Sequence, residues 1–364
     1  MNDSQFYPLR LADVRPETDA AVCLTFDVPA ELQDRFTFTQ GQYLTLRTSI
    51  DDGEVRRSYS ICSGLDDEQL RVAIKRIDGG VFSNYANEHL HAGDVIDVMP
   101  PQGEFHTPLS ATHAKNYMCI CAGSGITPVL SIVKSILSRE PDSHVTLLYG
   151  NRNSATVLFK DELGFLKNRY MTRFNWVNIL SREEQDADVL FGRLDNRKGA
   201  ELQASHLIDI AATDEFFLCG PESMISEVSR GLRGSGVDES NIHYELFYAS
   251  AEDARAVVEK HHARAKQYAG QVSEVQVKAD GRTTYIELTA DGENILDGAM
   301  RSGADLPFSC KGGVCATCKA RLIEGDVEMD LNHSLSAEEI ESGMILTCQA
   351  HPISKKVVVD FDQI

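Results

Sequence analysis

The sequence predicts a multidomain chain. An antiparallel β-barrel is expected over residues 1–110 and an α/β domain with a parallel sheet over 111–248. After a linker over 249–271, an α+β domain of the β-grasp pattern is expected over 272–364. Three observations predict this. The first stretch alternates apolar and polar side chains at the strand period, with turns rich in Gly and Asp between the runs. The second alternates buried-strand runs with segments of helical apolar spacing. The third carries Cys310-Lys-Gly-Gly-Val-Cys315-Ala-Thr-Cys318 and a distant Cys348 between short alternating runs. A chain of 364 residues is also too long for one ordinary core.

Composition narrows the function classes. The chain is 42% hydrophobic, normal for a globular protein, and no run approaches a membrane span. Its start, Met-Asn-Asp-Ser-Gln, lacks the basic and apolar regions of a secretory signal. Cys23, Cys62, Cys119, Cys121 and Cys219 are scattered and suggest no disulfide framework, so a reducing cytoplasmic home is expected. A net charge of −20 argues against sequence-independent nucleic-acid binding. From Val272 onward, 16 acidic residues face 8 basic ones. That surface either keeps the protein soluble or docks a basic patch on an electron acceptor.

In the first domain, Val22–Val28, Tyr43–Arg47 and Leu70–Ile77 read as strands, the last carrying Lys75. Between them lies Arg57-Ser-Tyr59-Ser60. An arginine can clamp a pyrophosphate, an aromatic ring can stack on a flat cofactor, and a hydroxyl can bond a ring nitrogen. Strand alternation puts Arg57 and Tyr59 on one face. Gly79-Gly80-Val81-Phe-Ser83 reads as a helix start, either a phosphate site or an ordinary turn with a Ser cap.

In the second domain, Asn116–Ala122 is a buried strand followed by Gly123-Ser-Gly125-Ile-Thr127-Pro128. Thr127 is expected to cap the next helix, with Pro128 as its first residue. The loop departs from G-x-G-x-x-G at Pro128, yet a loop of this type can cradle a pyrophosphate. Val145–Gly150, Phe174–Leu180 and Glu215–Cys219 are further strands, the last ending in Gly220-Pro221. Such a sheet binds ligands at its strand C-termini. Ser181-Arg182 follows the third strand. It is either a reader of a 2′-phosphate, favouring NADPH, or a solvated surface pair.

Beyond a partly helical polar linker, short strands flank one helix, Ile295–Met300, and the cysteine loop. Cys310, Cys315, Cys318 and Cys348 have the C-x4-C-x2-C plus distant Cys spacing of a plant-type [2Fe–2S] cluster. A zinc site would favour paired C-x2-C units, and only one such unit exists. A cluster of this class passes one electron at a time near about −400 mV.

Taken in order, Arg57-x-Tyr59-Ser60, Gly80-x-x-Ser83, Gly123-x-Gly125-x-x-Pro128, Cys219-Gly220-Pro221 and Glu245-Leu-Phe247, ahead of the cysteine loop, form a joint pattern. It resembles the ferredoxin–NADP reductase-like flavoenzymes that carry a C-terminal plant-type ferredoxin domain. The resemblance covers nearly the whole chain. It implies FAD in the barrel, NADPH or NADH on the α/β domain, and a [2Fe–2S] cluster on the four cysteines. Arg57 would contact the FAD pyrophosphate, Tyr59 would pack on the isoalloxazine and Ser60 would lie near N5. Gly80, Val81 and Ser83 would hold the pyrophosphate from the helix side, with Lys75 among the cofactor contacts. Gly123, Gly125 and Gly220 would face the nucleotide, Thr127 and Cys219 the nicotinamide. Phe247 would cover the other flavin face, and Glu245 would position nicotinamide or handle protons. The implied function is electron transfer from NAD(P)H through FAD and the cluster to the oxygenase component of a multicomponent monooxygenase. The tail, Gly325-Asp-Val-Glu-Met329 and Ile345-Leu-Thr-Cys348-Gln-Ala-His-Pro352, is most similar to reductases serving the di-iron phenylacetyl-CoA 1,2-epoxidases of phenylacetate degradation. Reductases of Rieske-type oxygenases such as ketosteroid 9α-hydroxylase are the alternative, as is a general electron carrier.

Overall fold

A computed structural model describes residues 5–51, 53–247, 251–268 and 270–363, with the side chains of 251–258 excepted. The chain divides into two compact units, one spanning Phe6–Glu245 and one holding Leu246–Ile364.

The larger unit opens with six antiparallel strands: β1 (Tyr7–Thr18), β2 (Ala21–Asp27), β3 (Tyr43–Ile50), β4 (Gly53–Ser60), β5 (Leu70–Lys75) and β6 (Val95–Val98). Their order is β4-β3-β6-β1-β2-β5. A bridge between Ile61 and Val72 joins the two edges, and the Cys62 N–H donates to Arg71 O at 2.9 Å. The sheet therefore closes as the strand-period pattern predicts, removing both free edges. Leu9, Leu24, Leu44, Leu46, Val72 and Ile74 fill the interior. Helix α1 (Val81–His89) closes one side with Phe82 and Ala86.

The same unit continues as β7 (Asn116–Ala122), α2 (Ile126–Arg139), β8 (His144–Asn151), α3 (Lys160–Arg169) and β9 (Phe174–Leu180). It ends with α4 (Asn196–Ala204), β10 (Glu215–Cys219), α5 (Glu222–Gly234) and β11 (Ile242–Glu245). These five strands are parallel, in the order β11-β10-β7-β8-β9. The chain winds outward one way from β7 and the other way through β10. The C-terminal ends of β7 and β10 therefore form the topological switch point where such sheets bind ligands.

Thr127 does not cap α2. A turn of 3-10 helix over Gly123–Gly125 runs straight into a helix that begins at Ile126, with Gly125 in the cap position and already helical in its dihedrals. Thr127 instead donates its hydroxyl to Ser124 O at 2.9 Å. Pro128 is tolerated because the first-turn N–H groups have no intrahelical acceptor.

The smaller unit contains α6 (Ala251–Gln267), β12 (Val272–Ala279), β13 (Arg282–Thr289), α7 (Ile295–Arg301), β14 (Lys319–Glu324) and β15 (Val327–Met329). It continues with α8 (Ala337–Glu341), β16 (Met344–Leu346), β17 (Ala350–Pro352) and β18 (Lys356–Asp360). A five-stranded sheet runs β13-β12-β18-β14-β16, beside a two-stranded ribbon β15-β17. Helix α7 lays Ile295, Leu296 and Ala299 into the same core as Val275, Val277, Val357 and Val359. This is the β-grasp arrangement.

The segment expected as linker is structured in large part. Residues 249, 250 and 269 lie outside the described residues, but Ala251–Gln267 forms helix α6 within the smaller unit. Arg264 is only 1% exposed and pairs with Asp330, while its Nε donates to Ala290 O at 3.1 Å. Lys260 donates to the carbonyls of Met329 and Asp330 at 3.0 and 2.7 Å. Among the described side chains, Lys260 and Arg264 tie this helix to the unit through cationic hydrogen bonds. Among the described residues no helix is long and apolar enough to cross a membrane.

Candidate functional site

The β3–β4 register sets Leu46 opposite Arg57 and Leu44 opposite Tyr59. Directly opposed residues share a face, so Arg57 and Tyr59 sit together on the side of Leu44 and Leu46, and Ser60 turns the other way. Arg57 is exposed, with its guanidinium donating to Arg56 O at 2.7 Å. The Tyr59 ring lies 5.6 Å from the ring of Phe82, which brings β4 to the start of α1.

At that start Gly80 stands in the cap position and no side chain caps the helix. The Ser83 hydroxyl accepts from the Ile77 N–H at 3.2 Å, bracing the turn rather than serving as the cap. The N–H groups of Val81, Phe82 and Ser83 are the orphan donors of this end, beside a Val81 that is 51% exposed. A cationic arm, uncapped N–H groups and a neighbouring aromatic ring fit the pyrophosphate and ring of a dinucleotide flavin.

The second cluster forms at the switch point. A Cβ on Gly125 would collide with the carbonyl oxygen of Cys219, so only glycine lets the β7–α2 loop lie on the β10 turn. On that turn Gly220 packs against Ala122 and Met224. Cys219 is fully buried and pairs in register with Glu245 on β11. Burial, and next Glu245, push its thiol well above the usual range. Ser60 Oγ donates to Glu245 Oε2 at 3.2 Å. Enclosure of that carboxyl raises its pKa to about 8, against the lowering pull of the Ser60 hydrogen bond. Ser60, Glu245, Cys219, Gly125 and Gly220 are thus brought together from β4, β11, β10 and the loops following β7 and β10.

Lys75, at the end of β5, places its ammonium against Gly123. Burial first, and then the charge of Arg152, lower its pKa. Arg152 follows β8, and its carbonyl accepts from the Arg182 N–H at 2.8 Å. Lys75, Arg152 and Arg182 therefore stand at neighbouring strand ends, with Ser181 beside them donating its N–H to Asn151 O at 2.9 Å. Sequence reasoning missed Arg152; its place directly after a buried parallel strand was the available signal. Phe247 falls in the smaller unit and is half-buried.

In the smaller unit the four cysteines form two pairs. Cys310 contacts Cys315, and Cys318 contacts Cys348. The Cys310 thiol is held at about 6, first by Cys315 and then, against burial, by the N–H groups of Gly312, Val314 and Cys315. Cys348 is likewise lowered, first by Cys318. Among the described residues no three His, Cys, Asp or Glu side chains converge on one point. Two thiol pairs wrapped in backbone donors are what a two-iron cluster requires, so the donor set fits. Gln349, beside Cys348, also reaches this cage and was not read from sequence.

Three family descriptions match the chain: an oxidoreductase FAD-binding domain over 9–107, an oxidoreductase NAD-binding domain over 119–230, and a 2Fe-2S iron-sulfur cluster binding domain over 277–352. The chain is 44% identical over 357 residues to a component of the 1,2-phenylacetyl-CoA epoxidase of Escherichia coli, covering 98% of each. It is 34% identical to the ferredoxin reductase component of 3-ketosteroid-9-alpha-monooxygenase from Rhodococcus rhodochrous, covering 97% of this chain and 96% of that one. Among solved structures, phthalate dioxygenase reductase shares the fold with a TM-score of 0.59 at 22% identity, covering 98% of both chains.

Proposed function

The chain belongs to the reductase components of multicomponent oxygenases, and from that membership we propose that its electron acceptor is the oxygenase of a phenylacetyl-CoA epoxidase. It is an NAD(P)H-dependent flavin iron–sulfur oxidoreductase. When bound, FAD would supply the hydride-accepting chemistry toward NAD(P)H and the [2Fe–2S] cluster the one-electron delivery to the acceptor.

The chain's own residues divide that work as follows. Arg57 and the N–H groups from Val81 to Ser83, set by Gly80, would hold the FAD pyrophosphate, and Tyr59 would pack on its ring. Ser60 and Glu245 would border the reacting edge of the flavin. Gly123, Gly125, Thr127, Cys219 and Gly220 shape the nicotinamide face, Cys219 as a packed wall. Lys75 would face the nucleotide phosphates, and Ser181 and Arg182 a 2′-phosphate. Cys310, Cys315, Cys318 and Cys348 ligate the cluster. The corresponding division is a FAD domain over 1–110, a nucleotide domain over 111–248 and a ferredoxin domain over 272–364. The five cysteines outside the cluster set form no disulfide, which supports a cytoplasmic setting.

The choice of acceptor rests on one observation, the 44% identity across 98% of each chain, against 34% for the ketosteroid component. The test supplies NADPH or NADH and the oxygenase components of the E. coli epoxidase, and follows phenylacetyl-CoA. Substrate loss that requires this chain supports the assignment. Rapid cytochrome c reduction with no substrate loss overturns it and moves a ketosteroid-type oxygenase forward.

A further inference from the structure

We propose that Gln349 is a positioning residue of the iron–sulfur site: its side-chain amide ties the two halves of the cysteine cage together and sets the cluster's reduction potential through the Cys348 sulfur. The proposal rests on the ligand assignment given above. Gln349 is 7% exposed and sits between Cys348 and Ala350, two residues of the smaller unit's apolar core. A buried amide must find partners or cost stability. Its Nε2 lies 3.0 Å from Lys311 O, 3.0 Å from Cys348 O and 3.6 Å from Cys348 Sγ. Two carbonyl oxygens around one amide terminus fix that terminus as the nitrogen, since an oxygen there would face only acceptors. One N–H reaches Lys311, inside the Cys310–Cys315 loop. The other is shared between the carbonyl and sulfur of Cys348.

The rest of the residue is pinned. Its own N–H donates to Leu346 O at 2.9 Å and its carbonyl accepts from the Asp330 N–H at 3.0 Å. Gly313 packs on its Cγ: a Cβ there would come within 3.3 Å, and the residue has φ of +73°. The backbone bonds fix the residue, and Nε2 is placed beside the Cys348 sulfur. Reduction adds negative charge to a cluster whose potential depends on hydrogen bonds to its sulfurs. A buried N–H donor favours the reduced state, and removing it must lower the potential.

The test uses the full chain with its cofactors. Gln349→Met keeps length and volume and removes both donors. Its cluster is expected to shift its reduction equilibrium about tenfold toward the oxidised form, ~59 mV for one electron, with altered EPR g-values and unchanged NAD(P)H-to-flavin transfer. An unchanged potential in a Gln349→Met chain that holds its cluster overturns the proposal. Should that variant fail to take up iron, wild-type chain labelled with 15N in the glutamine side chain decides: pulsed EPR of the reduced protein is expected to show a nitrogen coupling to the cluster, and its absence overturns the proposal. A wild-type chain without any [2Fe–2S] signal would instead sink the ligand assignment itself.

Discussion

The hydroxyl of Ser60 donates to a carboxyl oxygen of Glu245 at 3.2 Å, across 185 positions of sequence. Ser60 ends the strand that carries Arg57 and Tyr59, and Glu245 ends the last strand of the parallel sheet. This contact links the barrel to the switch point, where Cys219 and Gly125 meet.

Glu245 has its folded pKa raised from 4.5 to about 8 by enclosure. The stability this group contributes is full below its unfolded pKa and is lost as pH rises through about 8. The melting temperature of the wild type should fall on moving from mildly acid to alkaline buffer, whereas that of Glu245→Gln should stay nearly flat. Parallel melting curves for the two proteins would show that the carboxyl is ionised and well solvated.

Gly125→Ala tests the close approach at the switch point. The new methyl meets the Cys219 carbonyl, and neither backbone segment can yield without moving α2 or β10. Overpacking of this sort costs ~1–3 kcal/mol. KM for NAD(P)H should rise while the FAD content remains normal, because the barrel lies outside the collision. A variant with wild-type KM would mean that this loop does not shape the nucleotide site.

These residues show what the sequence revealed and what it concealed. Cys310, Cys315 and Cys318 sit on one short loop, so their spacing alone carries the chemistry. Arg57 and Tyr59 were legible because a strand repeats every second residue. Thr127 looked like a cap, yet helical dihedrals at Gly125 moved the helix start upstream, and glycine gives no such signal in advance. Gln349 and Asp330 gain their meaning from partners on other segments, Lys311 and Arg264, which no local pattern announces. The charged composition of α6 did not mark it as docked, because its ties run through Lys260 and Arg264 to distant segments.

Arg182 tests nucleotide choice. It stands after β9 with Arg152 beside it on the neighbouring strand end. A charge-assisted hydrogen bond to a phosphate is worth ~1.5–3 kcal/mol. Arg182→Ala should raise KM for NADPH about tenfold or more and leave KM for NADH nearly unchanged. An equal effect on both nucleotides would place Arg182 at the shared pyrophosphate, and no effect on either would leave it a surface residue.

Arg264 and Asp330 decide whether α6 is a tether or part of the ferredoxin unit. The pair is buried, and His351 Nε2 lies 3.2 Å from the second Asp330 oxygen. Desolvation opposes ionisation of Asp330, but His351 and then Arg264 outweigh it and hold its pKa below the usual value. Its contribution is therefore present above the unfolded pKa and is lost as pH falls through the folded one. Arg264→Met leaves that carboxylate with only one strong partner, and breaking a buried pair costs ~3–5 kcal/mol. Calorimetry of the full chain should show the transition of the smaller unit moving to lower temperature while that of the larger unit stays in place. Adding Asp330→Asn should recover part of the loss, because the stranded charge is gone. If Arg264→Met leaves both transitions untouched, this ion pair does not hold α6 to the smaller unit.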